Sequence, residues 1–224
     1  MSPHLDDGVL SLGAAMASWA REGARVQLLT VFACDPDSDA PTGGWDGRAG
    51  FRTEGEAAAG RREEDASACA LLGVEPVWLR FGSVDFERHG DEPDVREEIL
   101  RAVEGADCML LPGYPLTHPD HEWLVRTLAA APPEAPALGL YAEQPYAHRA
   151  RGEPRVPEWL EEALGAAPTF DVVPAAMGDR VSKWRAVRRY RTQLPLLGME
   201  RSLRRGPHML LWGEAVAWVE DGQR

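Results

Sequence analysis

The sequence predicts a layered α/β fold with a mostly parallel sheet. Three observations carry this expectation. Apolar runs rich in β-forming residues alternate with segments of helical period along the chain. The run VQLLTVFAC at 26–34 is apolar at nearly every position, as a strand buried on both faces requires. No repeat, low-complexity segment or linker interrupts the alternation, so residues 1–224 read as a single domain.

The elements follow in order. Residues 9–22 have apolar side chains at helical spacing, and Gly23 follows as a stop signal. Strand 26–34 comes next. Residues 35–54 read as a loop, long enough for a compact domain to carry function. A helix is expected over 56–72, closed by Gly73, and a strand at 77–81 (VWLRF). A helix at 94–103 ends near Gly105, and a strand begins at Met109 and breaks at Pro112 and Gly113. After THPDH a helix is expected at 122–131, closed by Pro132 and Pro133, then a strand at 138–141. A short helix at 157–164 and a short strand at 170–173 precede a mostly helical 177–197. Its run KWRAVRRYR reads as a solvated face rather than a binding patch, because the rest of the chain is acidic. A strand or hairpin at 209–219 ends the order.

Composition removes several classes of function. The formal net charge is -12, which repels a phosphate backbone, so nucleic acid is excluded as an expected partner. No apolar run reaches the roughly 18 residues that span a bilayer. The stretch VLSLGAAMASWA resembles a signal-peptide core, but Asp6 and Asp7 precede it where such a segment needs positive charge. Cys34, Cys69 and Cys108 lie far apart without a CxxC, which points to small buried hydrophobes in a reduced cytoplasm. A small molecule is the expected partner.

Two histidine–aspartate clusters stand out. The first, PHLDD, holds His4, Asp6 and Asp7; the second, HPDH, holds His118, Asp120 and His121. An aspartate at a helix start caps exposed N–H groups, which accounts for one carboxylate in each cluster. It does not account for the histidines. Both clusters precede helices, and the second follows a strand, so both are expected at the edge of the sheet where α/β folds place ligands. Imidazole and carboxylate together, without thiolate, suit Zn²⁺ or Fe²⁺. Three protein ligands leave an open position for water, and a carboxylate that is not a ligand can take its proton.

At these residues the chain resembles the PIG-L, or LmbE-like, zinc-dependent N-acetylglucosamine deacetylases, whose motifs usually read PHPDDE and HPDH. Between the two motifs, RREEDASACALLGV places Arg61, Glu64, Leu72 and Gly73 in the family's register. Near the C-terminus 183–193 follows its KxxAxxxYxTQ pattern. The resemblance implies a three-layer Rossmann-like α/β fold. It implies Zn²⁺ on His4, Asp7 and His121, Asp6 as general base, and His118 stabilising the tetrahedral oxyanion or protonating the departing amine. Asp120 would orient a histidine. The implied reaction hydrolyses an N-acetyl group on an amino sugar or its conjugate, giving acetate and a free amine. Leu5 stands for the family's Pro, Gly8 for its Glu, and Leu116 for a Tyr carried by some members. The family's first motif follows a buried strand. Only three residues precede His4, so the sequence is expected to begin downstream of that strand.

The loop containing GGWDGRAGF supplies substrate candidates. Trp45 and Phe51 can stack on a sugar face, and Asp46 and Arg48 can bond its hydroxyls; alternatively both aromatics anchor the loop. Arg61 either holds a substrate hydroxyl or pairs with Glu64 and Asp65 along a helix. Asp85 is a further hydroxyl ligand or a turn residue, and His208 a candidate to approach the site. His89 and His148 read as surface residues. Two competing functions remain in view: a non-haem Fe²⁺ oxygenase, which usually sits on a jelly roll, and a non-catalytic carbohydrate-binding relative.

Overall fold

The computed structural model describes residues 1–83, 92–129, 137–150, 153–199 and 213–219. The elements run α1 (Asp7–Arg21), β1 (Gln27–Thr30), α2 (Gly44–Ala49), α3 (Glu54–Leu72), β2 (Glu75–Trp78), α4 (Glu92–Ala102) and β3 (Cys108–Tyr114). They continue with α5 (Pro119–Ala129), β4 (Ala137–Ala142), α6 (Tyr146–Arg149), α7 (Glu158–Leu164), β5 (Asp171–Val172), α8 (Met177–Val187) and β6 (Ala215–Val219). Helices α1, α3 and α8 pack on one face, around Val9, Leu10, Met16, Leu72, Val187 and Tyr190. Helices α4, α5 and α7 cover the other face, around Val95, Ile99, Leu124, Leu128 and Leu160. The result is the three-layer, Rossmann-like α/β arrangement that the alternation of elements predicts.

Among the described residues the strands form two groups. β1 and β2 pair in parallel, as do β3 and β4. The far side, β4–β6–β5, is antiparallel, so the parallel character is confined to the half that carries the histidine motifs. Residues 1–3 lie between β1 and β3. Ser2 forms a parallel bridge with Thr30. Its N–H donates to Leu29 O (2.7 Å), and Val31 and Phe32 donate to the carbonyls of Ser2 and Pro3. The Met1 nitrogen donates to Leu110 O in β3 (2.7 Å). This short stretch therefore takes the strand's place in the order and hands the chain to His4 at the sheet edge.

Local chemistry sets the boundaries. Thr53 caps α3 by accepting from Glu56 N (3.1 Å), and Gly73 ends it in the left-handed region that glycine tolerates. α5 starts at Pro119, earlier than expected, because proline suits a first helical turn. That puts Asp120 and His121 inside the helix rather than before it. The loop expected at 35–54 contains α2. The helix expected over 177–197 ends at Val187, and the chain turns through 188–198. Side chains in this turn are tied to α3: Tyr190 OH donates to Asp65 (2.6 Å), and Thr192 N and Oγ1 donate to Glu64 (3.0 and 2.9 Å). Those bonds draw the backbone off the helical path.

Candidate active site and metal centre

The two histidine motifs meet. His4 leaves the 1–3 stretch, Asp6 and Asp7 open α1, and His118, Asp120 and His121 open α5. Asp6 makes no side-chain capping bond, so a capping role does not account for its carboxylate. Three atoms form a nearly equilateral triangle. His4 Nδ1 lies 3.2 Å from Asp7 Oδ2, His121 Nε2 lies 3.1 Å from Asp7 Oδ2, and the two ring nitrogens are 3.2 Å apart.

The outer nitrogen of each ring fixes what the inner one offers. His4 Nε2 bonds Asp120 Oδ2 at 2.7 Å, and Asp120 also accepts from Ser83 Oγ at 2.5 Å. His121 Nδ1 bonds Glu143, which also accepts Leu116 N (2.9 Å). With each outer nitrogen giving its proton to a carboxylate, the inner nitrogens present lone pairs. Two lone pairs and a carboxylate oxygen at this separation repel one another unless something positive lies among them. A cation about 2.0–2.2 Å from each, at tetrahedral angles, separates its ligands by roughly 3.4 Å, so the triangle fits one. His121 and Glu143 are each 1% exposed, which rules out dispersing the charge into water. Protonation is the other way to relieve the clash: burial opposes it, but bonds to Asp120 and Asp7 raise His4 to about 9. Burial also opposes the charge on Asp7, yet His121 beside it holds the carboxyl well below the usual range.

His118 lies beside the triangle, its ring centroid 4.9 Å from those of His4 and His121. The ligating atoms of His4, His118 and His121 all fall within 4.8 Å of one another, so this cluster fits a metal site. His118 Nδ1 accepts the N–H of Asp120 (3.2 Å), which leaves the proton on Nε2. Burial and the neighbouring histidines lower its affinity for a second proton. Asp6 is 6% exposed, and burial together with the charge of Asp7 raises it to about 7.

A cleft of ≈ 260 Å³ opens on this cluster. Its lining includes His4, Asp6, Asp7 and His118 at the cluster, Trp45, Asp46, Glu54 and Arg61 from α2 and α3, and Cys34, Tyr146 and Gln193. Of the substrate candidates, Trp45, Asp46 and Arg61 line the cleft. Arg61 pairs with Asp46 and not with Glu64 or Asp65, which are engaged by Thr192, Tyr190 and Trp78. Arg48 does not reach the cleft. It is exposed on α2, with its guanidinium 5.2 Å from the Trp45 ring; two residues along a helix turn it roughly opposite to buried Asp46. Phe51 packs against α3 at Gly60, anchoring the loop. Asp85, His89 and His208 lie outside the described residues. His148 is exposed. Of the cysteines only Cys69 is fully buried; Cys34 lines the cleft and Cys108 is exposed. Glu143, Ser83 and Tyr146 carry no motif that separates them from structural residues by sequence alone, and Gln193 closes the KxxAxxxYxTQ pattern without a role assigned to its side chain. For Glu143 the available signal was its position just after a strand that neighbours the histidine strand.

Fold and site together define a layered α/β protein, not a jelly roll, with a buried histidine–carboxylate cluster fit for a cation at the edge of its parallel strands. The PIG-L (GlcNAc-PI de-N-acetylase) family model matches residues 1–131, and the chain belongs to that family. Among solved structures, the A40926 pseudoaglycone deacetylase is 25% identical, with a TM-score of 0.73 over 97% of this chain and 94% of that one. A deacetylase of teicoplanin biosynthesis, in complex with bog, is also 25% identical, with a TM-score of 0.69 over 97% and 95%. The N,N'-diacetylchitobiose deacetylase from Pyrococcus horikoshii shares the fold at 18% identity, with a TM-score of 0.59 over 97% and 81%. A search of curated proteins with the sequence gives no match. No helix among the described residues is long and apolar enough to cross a membrane.

Proposed function

We propose that this chain is a Zn²⁺-dependent N-deacetylase that frees acetate and an amine from an acetylated amino sugar borne on a larger glycoconjugate, acting in the cytoplasm. The observation that carries the reading is the triangle of His4 Nδ1, Asp7 Oδ2 and His121 Nε2, three lone-pair atoms held 3.1–3.2 Å apart. His4, Asp7 and His121 would hold the ion. Bound there, Zn²⁺ would supply an acidified water and polarise the amide carbonyl.

The chain's own groups do the rest. Asp6 lies next to the ligand Asp7, lines the cleft, and is spared from capping, so its carboxylate can take the water's proton. His118 keeps a proton on Nε2 and donates it as a hydrogen bond to the oxygen that gains charge, while the proton that Asp6 takes from water passes to the leaving nitrogen, so that acetate and a free amine result. Asp120 and Glu143 lock His4 and His121 in the tautomers that face inward. Trp45, Arg61 and Asp46 form the wall on which a sugar would rest. The resemblance to a deacetylase named for the A40926 pseudoaglycone, and to one of teicoplanin biosynthesis, supports an acceptor larger than a free sugar.

Asp6→Asn tests the mechanism. Acetate release from N-acetylglucosaminides should fall by at least about a hundredfold, the size of a general-base contribution, with zinc content unchanged. Full turnover by Asp6→Asn on a substrate that wild type deacetylates would remove Asp6 from the role.

A further inference from the structure

Tyr146 lines the active cleft and is half-buried, so a ligand in the cleft can touch it. Its ring stands across that of His121, with centroids 6.2 Å apart and planes at 76°. Burial raises the pKa of its hydroxyl, and the charges of Asp7, Asp6 and Glu143 raise it further. The phenol oxygen therefore lies toward the carboxylates of the cluster rather than out in solvent, and it keeps its proton. Among the described residues this hydroxyl has no hydrogen-bond partner. The two fully buried tyrosines differ. Tyr141 OH donates to Met1 O (3.0 Å), and Tyr190 OH donates to Asp65 (2.6 Å). Their phenols tie segments of the fold together, whereas that of Tyr146 is left unspent beside the cluster.

The segment that carries Tyr146 is pinned to both motif helices. Glu143, three residues earlier, bonds His121 Nδ1 and accepts from Leu116 N (2.9 Å). Gln144 N donates to Ser11 Oγ of α1 (3.1 Å), and Ala147 N donates to Glu143 O (2.7 Å), closing the turn around Tyr146. Three elements thus converge. α1 brings Asp6 and Asp7, α5 brings His118 and His121, and the end of β4 brings Tyr146. A donor held in place beforehand, in a cleft that limits water, suits an oxygen that gains negative charge during reaction.

We propose that Tyr146 is a further catalytic residue: its hydroxyl donates a hydrogen bond to the amide oxygen as that oxygen gains charge, alongside His118, and keeps its proton throughout. This rests on the deacetylase reading above. Para-nitrophenyl N-acetyl-β-glucosaminide is the substrate probe. The same glucosaminide with a methylphosphonyl group in place of acetyl is the tetrahedral probe. Both are used with zinc-loaded full-length protein. Acetate release gives kcat and KM, and calorimetry gives affinity for the tetrahedral probe. Tyr146→Phe removes the hydroxyl and keeps the ring against His121. Its kcat should fall about a hundredfold, the loss of one oxyanion donor, with KM little changed. Affinity for the tetrahedral probe should fall about as far. Melting temperature and zinc content should match wild type. Tyr146→Phe with wild-type turnover and wild-type affinity for the tetrahedral probe would overturn the proposal while leaving the deacetylase reading intact. So would a loss confined to KM, which would make Tyr146 a contact of bound substrate only. A loss that follows lowered zinc content would overturn it too, by making Tyr146 a support of the cluster. Wild type that neither releases acetate from the glucosaminide nor binds the tetrahedral probe would overturn the deacetylase reading, and this proposal with it.

Discussion

Asp65 illustrates how much single side chains decide in this molecule. It is fully buried on α3, accepting from Tyr190 OH (2.6 Å) and Trp78 Nε1 (2.8 Å). Burial raises its pKa from 3.8 to about 6, against the lowering effect of those bonds. A carboxyl whose pKa is raised by folding stabilises the fold when protonated. That contribution is complete below pH 3.8 and is lost as pH rises to about 6. Its size is on the order of 2–3 kcal/mol. Asp65→Asn keeps one acceptor oxygen and removes the titration, so the stability of wild type relative to the variant should decline between pH 4 and pH 7. Urea midpoints at the two pH values check this, and parallel midpoints would contradict it. Gly8 is a second case, standing where the family usually has Glu. A Cβ there would lie 2.5 Å from Leu28 Cδ1 and 3.3 Å from Ser2, because α1 rests directly on β1 and the 1–3 stretch. Gly8→Ala should destabilise by roughly 1–3 kcal/mol, read as a lower melting temperature. The motif letters could identify His4 and Asp7, but not the tight packing beneath them.

At the scale of elements, α1 holds the site from behind and is itself broken. Leu12 departs from helical geometry (φ -127°, ψ 15°), which frees N–H groups downstream. Glu214, just before β6, accepts from Ala14 N (2.9 Å) and Ala15 N (2.7 Å), and Lys183 of α8 neutralises it at 2.6 Å. All of this is buried. Lys183→Met should cost about 3–5 kcal/mol by leaving Glu214 charged and alone; a loss under about 1 kcal/mol in urea unfolding would show that the pair is not the clamp on α1. The helical period of 9–22 reads correctly in the sequence, whereas the break does not, because its cause lies about 200 residues away. Helix α8 teaches the same lesson from its other end. Its apolar and basic pattern continues to residue 197, yet long-range bonds to Glu64 and Asp65 end the helix at Val187. The start of α5 fails differently: Pro119 was available as a first-turn signal, but the motif around it reads more readily as a loop.

Across the whole molecule, the layered α/β class and the meeting of PHLDD with HPDH were legible, because alternation and paired short motifs survive without tertiary information. Arg48 was misplaced because a six-residue helix inside a presumed loop reverses its direction. Glu143 and Ser83 were missed because their roles come from partners supplied by other segments. The account stands or falls on the triangle these segments assemble. Its most direct test is a crystal structure of the zinc-loaded protein with an anomalous map at the zinc edge. A single peak about 2.0–2.2 Å from His4 Nδ1, Asp7 Oδ2 and His121 Nε2 is predicted, with Asp6 and His118 beside it and unbound. A peak coordinated by His118 in place of Asp7, or none at the cluster, would contradict it.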